Sequence, residues 1–113
     1  MNIREINRVY FIGVGGIGMS ALARFFCEQG AKVSGYDRTE TALTKQLVAE
    51  GIEIHYTDDV QLLDKEAQLV VYTPAIPKDH TEYNWYLNNH YPIFKRSDVL
   101  QSITQSMHAI TVA

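Results

Sequence analysis

The sequence contains 113 residues, of which 46% are hydrophobic and 20% are charged. A chain of this length forms one domain, and this composition excludes a disordered chain, a collagen-like fibre and a disulfide scaffold. The formal net charge is -3, with no cluster of lysine and arginine, which argues against a nucleic-acid-binding protein.

No apolar run approaches the roughly 18 residues that a membrane-spanning helix needs, so we expect no membrane anchor. Cys27 is the single cysteine and cannot form a disulfide within the chain. This cysteine usage fits a reducing compartment, and we expect the protein in the cytoplasm. The histidines show no spacing typical of a metal site, with or without Cys27, so no metal ligand is assigned.

Short apolar runs and helical patterns alternate along the chain. Strands are predicted at residues 9–12, 32–36, 52–55, 68–72 and 92–94. Helices are predicted after the first, second, fourth and fifth of these strands, since apolar residues recur there at helical spacing. Strands separated by crossover helices pair in parallel. The sequence therefore predicts a Rossmann-like, doubly wound α/β fold, with a mainly parallel sheet flanked by helices.

The ends of the predicted helices follow from local signals. Gly30 and Gly51 stand where helix stops belong, at the ends of the first two helices. Residues 79–82 predict the start of the third helix, because an acid follows a capping residue in the capping-box pattern. Ser97 is predicted to cap the fourth helix.

The last residues of the sequence form another apolar segment. Residues 109–113 are predicted as a strand, and no turn, helix or polar tail follows them. Natural termini more often end in polar residues. We therefore expect residues 1–113 to be a single N-terminal domain cut from a longer protein, the alternative being an edge strand that completes the domain.

A glycine-rich loop is the strongest functional signal. Residues 13–18 satisfy the pattern G-x-G-x-x-G between a predicted strand and a predicted helix. Gly13 allows a tight turn, Gly15 lets the backbone approach a diphosphate, and Gly18 allows close helix packing. The amides of the first helical turn then face the anion. The spacing also fits a nucleoside-triphosphate loop, but Met19 stands where that loop requires lysine, which excludes this function.

Two further segments are expected to meet the glycine loop. Asp37 lies about 20 residues beyond it, where an acid commonly accepts hydrogen bonds from ribose. Arg38 would meet a phosphate, although the pair also fits a solvated turn. Thr73, Ala75 and Ile76 follow the fourth strand, and in such sheets this loop faces the glycine loop across a ligand crevice. Thr73 would hydrogen-bond the ligand and the apolar pair would contact a flat base, unless the segment is only a proline-stiffened turn.

These segments carry a resemblance to a known family. The double-glycine loop followed by Met19 and Ser20, and the segments at residues 33–37, 73–77 and 95–100, occur in the same order in the Mur ligases. Within that family they most resemble the enzymes that add L-alanine to UDP-N-acetylmuramate in peptidoglycan synthesis. The resemblance covers nearly the whole chain, from about residue 9 onward.

The resemblance implies that this chain is the first, UDP-sugar-binding domain of an ATP-dependent ligase. ATP and Mg²⁺ would activate the muramyl carboxylate and L-alanine would displace the phosphate elsewhere in the protein, so this chain is expected to bind and not to catalyse. Asp58 stands where many members have histidine, and no ligand role is assigned to it. By position, the diphosphate would lie on Gly15, Gly16, Ile17, Gly18 and Met19, the ribose on Asp37, and the uracil beside Thr73, Ala75 and Ile76.

Other interpretations stay open on the sequence alone. A related ligase attaches a recycled tripeptide to the same sugar nucleotide and shares this architecture. An NAD(P)-binding Rossmann domain of an oxidoreductase or regulatory module would also contain the glycine pattern and Asp37. A bare interaction domain would bind no small ligand. The Met-Ser pair after the glycines and the loop at residues 73–77 favour the L-alanine-adding ligase.

Overall fold

The computed structural model describes the backbone of residues 5–112 and the side chains of residues 5–104. The strands in this range are β1 Arg8–Ile12, β2 Lys32–Tyr36, β3 Glu53–His55, β4 Leu69–Tyr72 and β5 Ile93–Lys95. The helices in the same range are α1 Ile17–Glu28, α2 Ala42–Ala49, α3 Thr81–Asn88 and α4 Arg96–Val112. The strands predicted between residues 9 and 94 are all present, with small differences at their ends.

The strands form one parallel sheet in the order β3-β2-β1-β4-β5. β1 lies at its centre, and Val9, Tyr10, Phe11 and Ile12 are fully buried because both faces of the sheet are covered. The chain passes from β1 through β2 to β3 at one edge, then crosses back to β4 on the other side of β1. The predicted Rossmann-like, doubly wound α/β fold is confirmed.

Alternate residues of β1 point into two separate cores. Val9 and Phe11 pack on the face that carries α1, α2 and α4, with Leu22, Phe26, Leu47, Val99 and Ile103. Tyr10 and Ile12 pack on the face that carries α3, with Leu63, Ala67, Val70 and Tyr86. Leu63 and Ala67 belong to residues 56–68, a connection from β3 to β4 that contains turns in place of a helix. This connection covers part of the second face and lies beside the start of α3.

The first two helices end at the glycines that the sequence predicts. Helix α1 ends before Gly30 and α2 before Gly51. Both glycines have a positive φ, of 91 and 105 respectively. A side chain rarely adopts this conformation, so each glycine reverses the chain and directs it into the next strand.

The C-terminal part of the fold differs from the prediction. Helix α4 begins at Arg96 directly after β5, so Ser97 lies in the first turn and does not cap it. The helix continues to Val112, so the strand predicted at residues 109–113 is wrong up to that residue, and Ala113 lies outside the described residues. No glycine or proline interrupts the sequence after Arg96, and a short apolar run is compatible with either structure.

None of the helices within residues 5–112 has the length and hydropathy that crossing a bilayer demands.

Candidate functional site

A tight loop joins β1 to α1 and packs against the end of β2. The amides of Gly13 and Val14 both donate to the Tyr36 carbonyl oxygen, at 2.8 and 3.1 Å. Gly13 has a φ of 91, in the region that favours glycine. A Cβ atom at this position would collide with Thr73 Cγ2 in the loop after β4. Glycine is therefore required by the turn and by the close approach of the two loops.

The N-terminus of α1 opens at this loop with its first amides free. Gly16 occupies the N-cap and has no side chain that accepts from the first turn. The turn contains no acidic residue, and Ile17 beside it is 88% exposed. Unpaired amides at the positive end of the helix dipole bind anions. The side chain of Met19 is buried in the core, so only its amide is available to a ligand.

The carboxylate of Asp37 is bound to the glycine loop. Its Oδ2 accepts from the Gly15 amide at 2.6 Å, and its Oδ1 accepts from the Thr39 amide at 3.1 Å. A Cβ atom on Gly15 would lie 2.6 Å from Asp37 Oδ2 and 2.8 Å from Thr44 Cγ2. Asp37 therefore holds the loop in place, a contact that the sequence did not predict. Each carboxylate oxygen has a further lone pair, so acceptance from ribose hydroxyls is still possible.

The loop after β4 faces the glycine loop across a cavity of about 560 Å³. The Thr73 amide donates to the Ile12 carbonyl oxygen at 3.1 Å, which fixes this loop to β1. Thr73 Oγ1 accepts from the Ala75 amide at 3.4 Å. The predicted site residues that line the cavity are Gly16, Asp37, Arg38, Thr73, Ala75 and Ile76. The two loops thus meet at the carboxyl ends of β1 and β4, where the order of the strands reverses.

The remaining predicted site residues lie at the glycine loop and helix α1, outside this cavity. Gly15 packs against Asp37, while Ile17 is exposed at the start of α1. Gly18 lies under the side chain of Arg96, and Met19 points into the core. The predicted site residues therefore form two groups, one at the N-terminus of α1 and one in the adjoining cavity.

Arg96 brings a positive charge to the helix terminus. A Cβ atom on Gly18 would lie 2.8 Å from Arg96 Cζ and Nη1, so the guanidinium packs directly on this glycine. Among the described side chains, Arg96 takes part in no ion pair. The sequence predicted that backbone amides, the helix dipole and Arg38 would attract an anion, and it did not predict Arg96. The available signal was the basic pair Lys95 and Arg96 after the predicted strand at residues 92–94, because the carboxyl ends of the strands border the crevice.

Asp58 and His80 also line the cavity. Asp58 Oδ2 accepts from the Thr81 amide at 2.7 Å, and its Oδ1 accepts from the Glu82 amide at 3.0 Å. Burial alone would raise the pKa of Asp58, but these hydrogen bonds and the nearby His80 ring lower it overall. The N-cap of α3 is His80, whose Nδ1 accepts from the Tyr83 amide at 3.3 Å. The sequence assigned no ligand role to Asp58, whose contacts reach a helix far along the chain, and it included His80 only in the predicted helix start at residues 79–82.

Glu82 does not complete the capping box that the sequence predicts. Its side chain is fully buried, and one oxygen accepts from the hydroxyl of Tyr10. The other oxygen lies 2.8 Å from His55 Nε2 and accepts from the Asp59 amide at 3.0 Å. Burial, and after it the Glu82 carboxylate, raises the pKa of Tyr10 above its usual range. These contacts attach α3 and the loop after β3 to the centre of the sheet.

Comparison with known proteins identifies the family. The sequence pattern described as "Mur ligase family, catalytic domain" matches residues 8–108. The chain belongs to the Mur ligase family. Among curated Mur ligases, the UDP-N-acetylmuramate–L-alanine ligase of Flavobacterium psychrophilum is 49% identical over 117 residues, covering 100% of this chain and 26% of the relative. The same enzyme of Porphyromonas gingivalis W83 is 48% identical over 113 residues, covering 96% and 25%.

Solved Mur ligase structures share the fold. The UDP-N-acetylmuramate–alanine ligase of Thermotoga maritima superposes with a TM-score of 0.82 at 30% identity, covering 88% of this chain and 23% of that one. The UDP-N-acetylmuramate:L-alanyl-gamma-D-glutamyl-meso-diaminopimelate ligase of Neisseria meningitides gives a TM-score of 0.73 at 28% identity, covering 80% and 29%. The resemblance to Mur ligases is confirmed, and the chain spans about a quarter of the length of the curated relatives it matches.

Proposed function

We propose that this chain binds the uridine diphosphate part of UDP-N-acetylmuramate, as part of a longer ATP-dependent ligase that adds L-alanine in peptidoglycan synthesis. The names of the relatives support this substrate, since they match 96% to 100% of the chain at 48% to 49% identity. The ligation itself, with L-alanine and ATP as further substrates, is proposed for the whole protein. A cytoplasmic location stays a prediction.

One observation carries the proposal. The free amides at the start of α1 adjoin a cavity of about 560 Å³, which is large enough for a base and a ribose. The lining of the cavity includes Gly16 of the glycine loop together with Ile76 and His80. A nucleoside diphosphate needs this combination, because its charged group requires donors and its base requires an enclosed, partly apolar surface.

Each part of the site has a proposed role. The amides of the first turn of α1, together with Arg96, offset the charge of the diphosphate. Asp37 accepts from a ribose hydroxyl while it keeps the Gly15 amide in place. Ala75 and Ile76 contact the base, and Thr73 borders the ribose and phosphates. Because two hydrogen-bonded strands already hold both loops, binding orders little additional backbone.

The residues of this chain do not fit ATP and Mg²⁺. Met19 occupies the position at which a triphosphate loop requires lysine. Within the part of the chain that the structure describes, no group of acidic, histidine and cysteine side chains is arranged to hold a metal ion. We therefore propose that ATP and Mg²⁺ bind to other parts of the longer enzyme, and that this chain alone binds without catalysing.

A tripeptide-adding ligase is the second candidate, because the Neisseria structure shares the fold over 80% of this chain. Such an enzyme binds the same sugar nucleotide, so the proposed roles of Arg96, Asp37 and the loop after β4 would be unchanged. The curated relatives that are 48% to 49% identical add L-alanine, and among the solved structures the Thermotoga enzyme superposes better than the Neisseria enzyme, with a TM-score of 0.82 against 0.73, which favours the first candidate.

A thermal-shift panel with UDP-N-acetylmuramate, UDP, NADH and ATP tests the proposal. At 100 times its dissociation constant, a ligand stabilises the folded chain by about 2.7 kcal/mol. We expect this shift with the sugar nucleotide, a smaller one with UDP, and none with NADH or ATP. Stabilisation by NADH alone would overturn the proposal in favour of a dinucleotide-binding domain, and no shift with any ligand would indicate an interaction domain.

A further inference from the structure

Gly18 is the third glycine of the G-x-G-x-x-G pattern, and its backbone conformation does not require glycine. It lies in the first turn of α1 and is not among the glycines with a positive φ. Alanine forms helices better than glycine, because glycine loses more backbone freedom on folding. The pattern explains this glycine by close packing of the helix on a strand. The structure places a different group beside it.

The side chain of Arg96 covers Gly18 with the flat face of its guanidinium. A Cβ atom on Gly18 would lie 2.8 Å from Cζ and Nη1 of Arg96 and 2.9 Å from Nε, closer than Cβ atoms come to other atoms in folded proteins. Nearly equal distances to three bonded atoms of a planar group mean that the plane itself faces this position. These three atoms are the nearest ones, so no atom of a strand lies closer to it.

This arrangement leaves the N–H groups of Arg96 available to an anion. The donors of a guanidinium point outward in its plane, and its flat face has none. Arg96 is exposed and takes part in no ion pair with the described side chains. The first internal hydrogen bond of α1 runs from the Ser20 amide to the Gly16 carbonyl oxygen, so the amides of residues 17–19 precede it. An anion beside this turn has both kinds of donor nearby.

Arg96 reaches the first turn of α1 from the neighbouring helix. Helix α4 begins at Arg96, and Val99 and Ile103 of α4 belong to the same core as Leu22 of α1. The backbone of Arg96 is therefore held beside α1. Its exposed side chain has several rotatable bonds, and fixing it upon binding costs entropy. A position without a side chain at Gly18 lets the guanidinium rest on the helix before a ligand arrives.

We propose that Gly18 is a positioning residue, which leaves the space that holds the Arg96 guanidinium at the N-terminus of α1 for contact with the diphosphate. This inference rests on the proposed function, because it assumes a diphosphate at that terminus. A side chain at residue 18 would occupy this space and displace the guanidinium, while the backbone amides would stay in place. Arg96 would then lose its orientation without losing its charge.

A double-mutant cycle on Gly18 and Arg96 tests the proposal by calorimetric titration of UDP into the 113-residue chain. Gly18→Ala should weaken UDP binding by about three-fold to ten-fold, approaching the loss caused by Arg96→Gln. In the Arg96→Gln background the same alanine has no guanidinium to displace, so it should change the affinity by less than about two-fold. This background is the matched control, since it contains the identical substitution.

Two further measurements distinguish positioning of Arg96 from helix packing. The unfolding midpoint of Gly18→Ala should be unchanged or raised, because alanine favours the helix and an exposed side chain can move aside. A glycine needed for close packing would instead give a lowered midpoint. The difference in UDP affinity between the unmodified chain and Gly18→Ala should narrow at high ionic strength, as it does when the charge of Arg96 is removed.

The outcomes separate two failures. If the unmodified chain binds neither UDP nor UDP-N-acetylmuramate, the proposed function is wrong and this inference falls with it. If the chain binds UDP and Gly18→Ala binds it within about two-fold of the same affinity, only the role of Gly18 is overturned. Equal losses from the alanine with and without Arg96, or a lowered unfolding midpoint, would also overturn that role.

Discussion

The amide of Gly15 donates to Asp37 Oδ2 at 2.6 Å and joins the glycine loop to the residue that follows β2. With Gly13 and Val14 donating to Tyr36, consecutive amides of the loop are all bound to the end of this strand. The loop is therefore shaped by the protein before any ligand arrives. Preorganisation of this kind lowers the entropic cost of binding an anion at the start of α1.

Gly15→Ala should disturb this arrangement, because its Cβ atom would lie 2.6 Å from Asp37 Oδ2 and 2.8 Å from Thr44 Cγ2. We expect the free energy of unfolding to fall by about 1–3 kcal/mol. UDP affinity should fall at least about ten-fold, because the first turn of α1 shifts with the loop. Urea denaturation and calorimetric titration measure the two effects.

Gly16→Ala is the matched control for this prediction. The nearest atom to its added Cβ is Met19 Cγ at 3.6 Å, an ordinary contact, and its φ is -66. Its free energy of unfolding should fall by no more than about 1 kcal/mol, because alanine is a poorer N-cap residue than glycine although its side chain fits the space. Equal destabilisation by the two substitutions would contradict the contact between Gly15 and Asp37 described above.

Arg96→Gln should weaken the binding of UDP, because it removes the guanidinium that packs on Gly18 at the helix terminus. A charge-assisted contact to a phosphate group is worth about 1.5–3 kcal/mol, which corresponds to at least about ten-fold in affinity. The difference between the two proteins should narrow at high ionic strength, since salt screens an exposed charge. Dissociation constants measured at low and high salt test both statements.

Lys95→Gln provides the control, since it removes the same charge from the adjacent exposed position. It should leave the UDP affinity within about two-fold of the unmodified chain. If both substitutions weaken binding to the same extent, the effect is one of net charge, and the specific role of Arg96 is wrong.

Asp58→Ala should destabilise the fold, because the amides of Thr81 and Glu82 lose their acceptors. We expect a loss of about 1–2 kcal/mol at neutral pH. The pKa of Asp58 is lowered in the folded chain, so its contribution is complete above the unfolded-state value of about 3.9. It is lost as the pH falls through the lower folded-state pKa. The difference in unfolding free energy between the two proteins should therefore shrink at acidic pH.

Asp79→Ala controls for the removal of an acidic group from the same region. Asp79 is exposed, and the amides of Thr81 and Glu82 donate to Asp58 rather than to it. Chemical denaturation at a series of pH values compares the three proteins. A penalty for Asp58→Ala that stays constant down to strongly acidic pH would show that the carboxylate charge does not contribute.

Tyr10→Phe should destabilise the fold by about 1–3 kcal/mol, because the buried Glu82 carboxylate loses a hydroxyl donor. The ring itself stays, so the aromatic packing against Tyr86 is kept. Tyr91→Phe removes a hydroxyl that donates to the Lys65 carbonyl oxygen at a more exposed site, and its cost should be smaller. Equal unfolding free energies for the two variants would argue against a special role for the buried contact.

Much of the fold was accessible from local patterns. The apolar runs of β1 and β4 predicted buried parallel strands, and the glycine pattern predicted the turn into α1. The position of the crevice could also be predicted, because parallel strands joined by crossover helices allow few sheet topologies. The predicted strand at residues 109–113 failed because an apolar run without glycine or proline also continues a helix.

The rest of the site depends on contacts between segments that are far apart in sequence. Arg96 reaches Gly18 only because α4 starts at the end of β5 on the same edge of the sheet as the glycine loop. Asp58 caps a helix that begins much later in the chain, and Glu82 satisfies a tyrosine of β1. The sequence pattern around Glu82 predicted a capping box because local rules do not include such partners.

Asp58 and Glu82 each accept from the backbone of the other's segment: Asp58 from the amides of Thr81 and Glu82, and Glu82 from the amide of Asp59. This reciprocal exchange closes a ring between the loop after β3 and the first turn of α3. Separation of the two segments would leave the buried Glu82 carboxylate without the hydrogen bond from the Asp59 amide. The loop after β3 and the first turn of α3 are therefore expected to unfold together, as one cooperative unit.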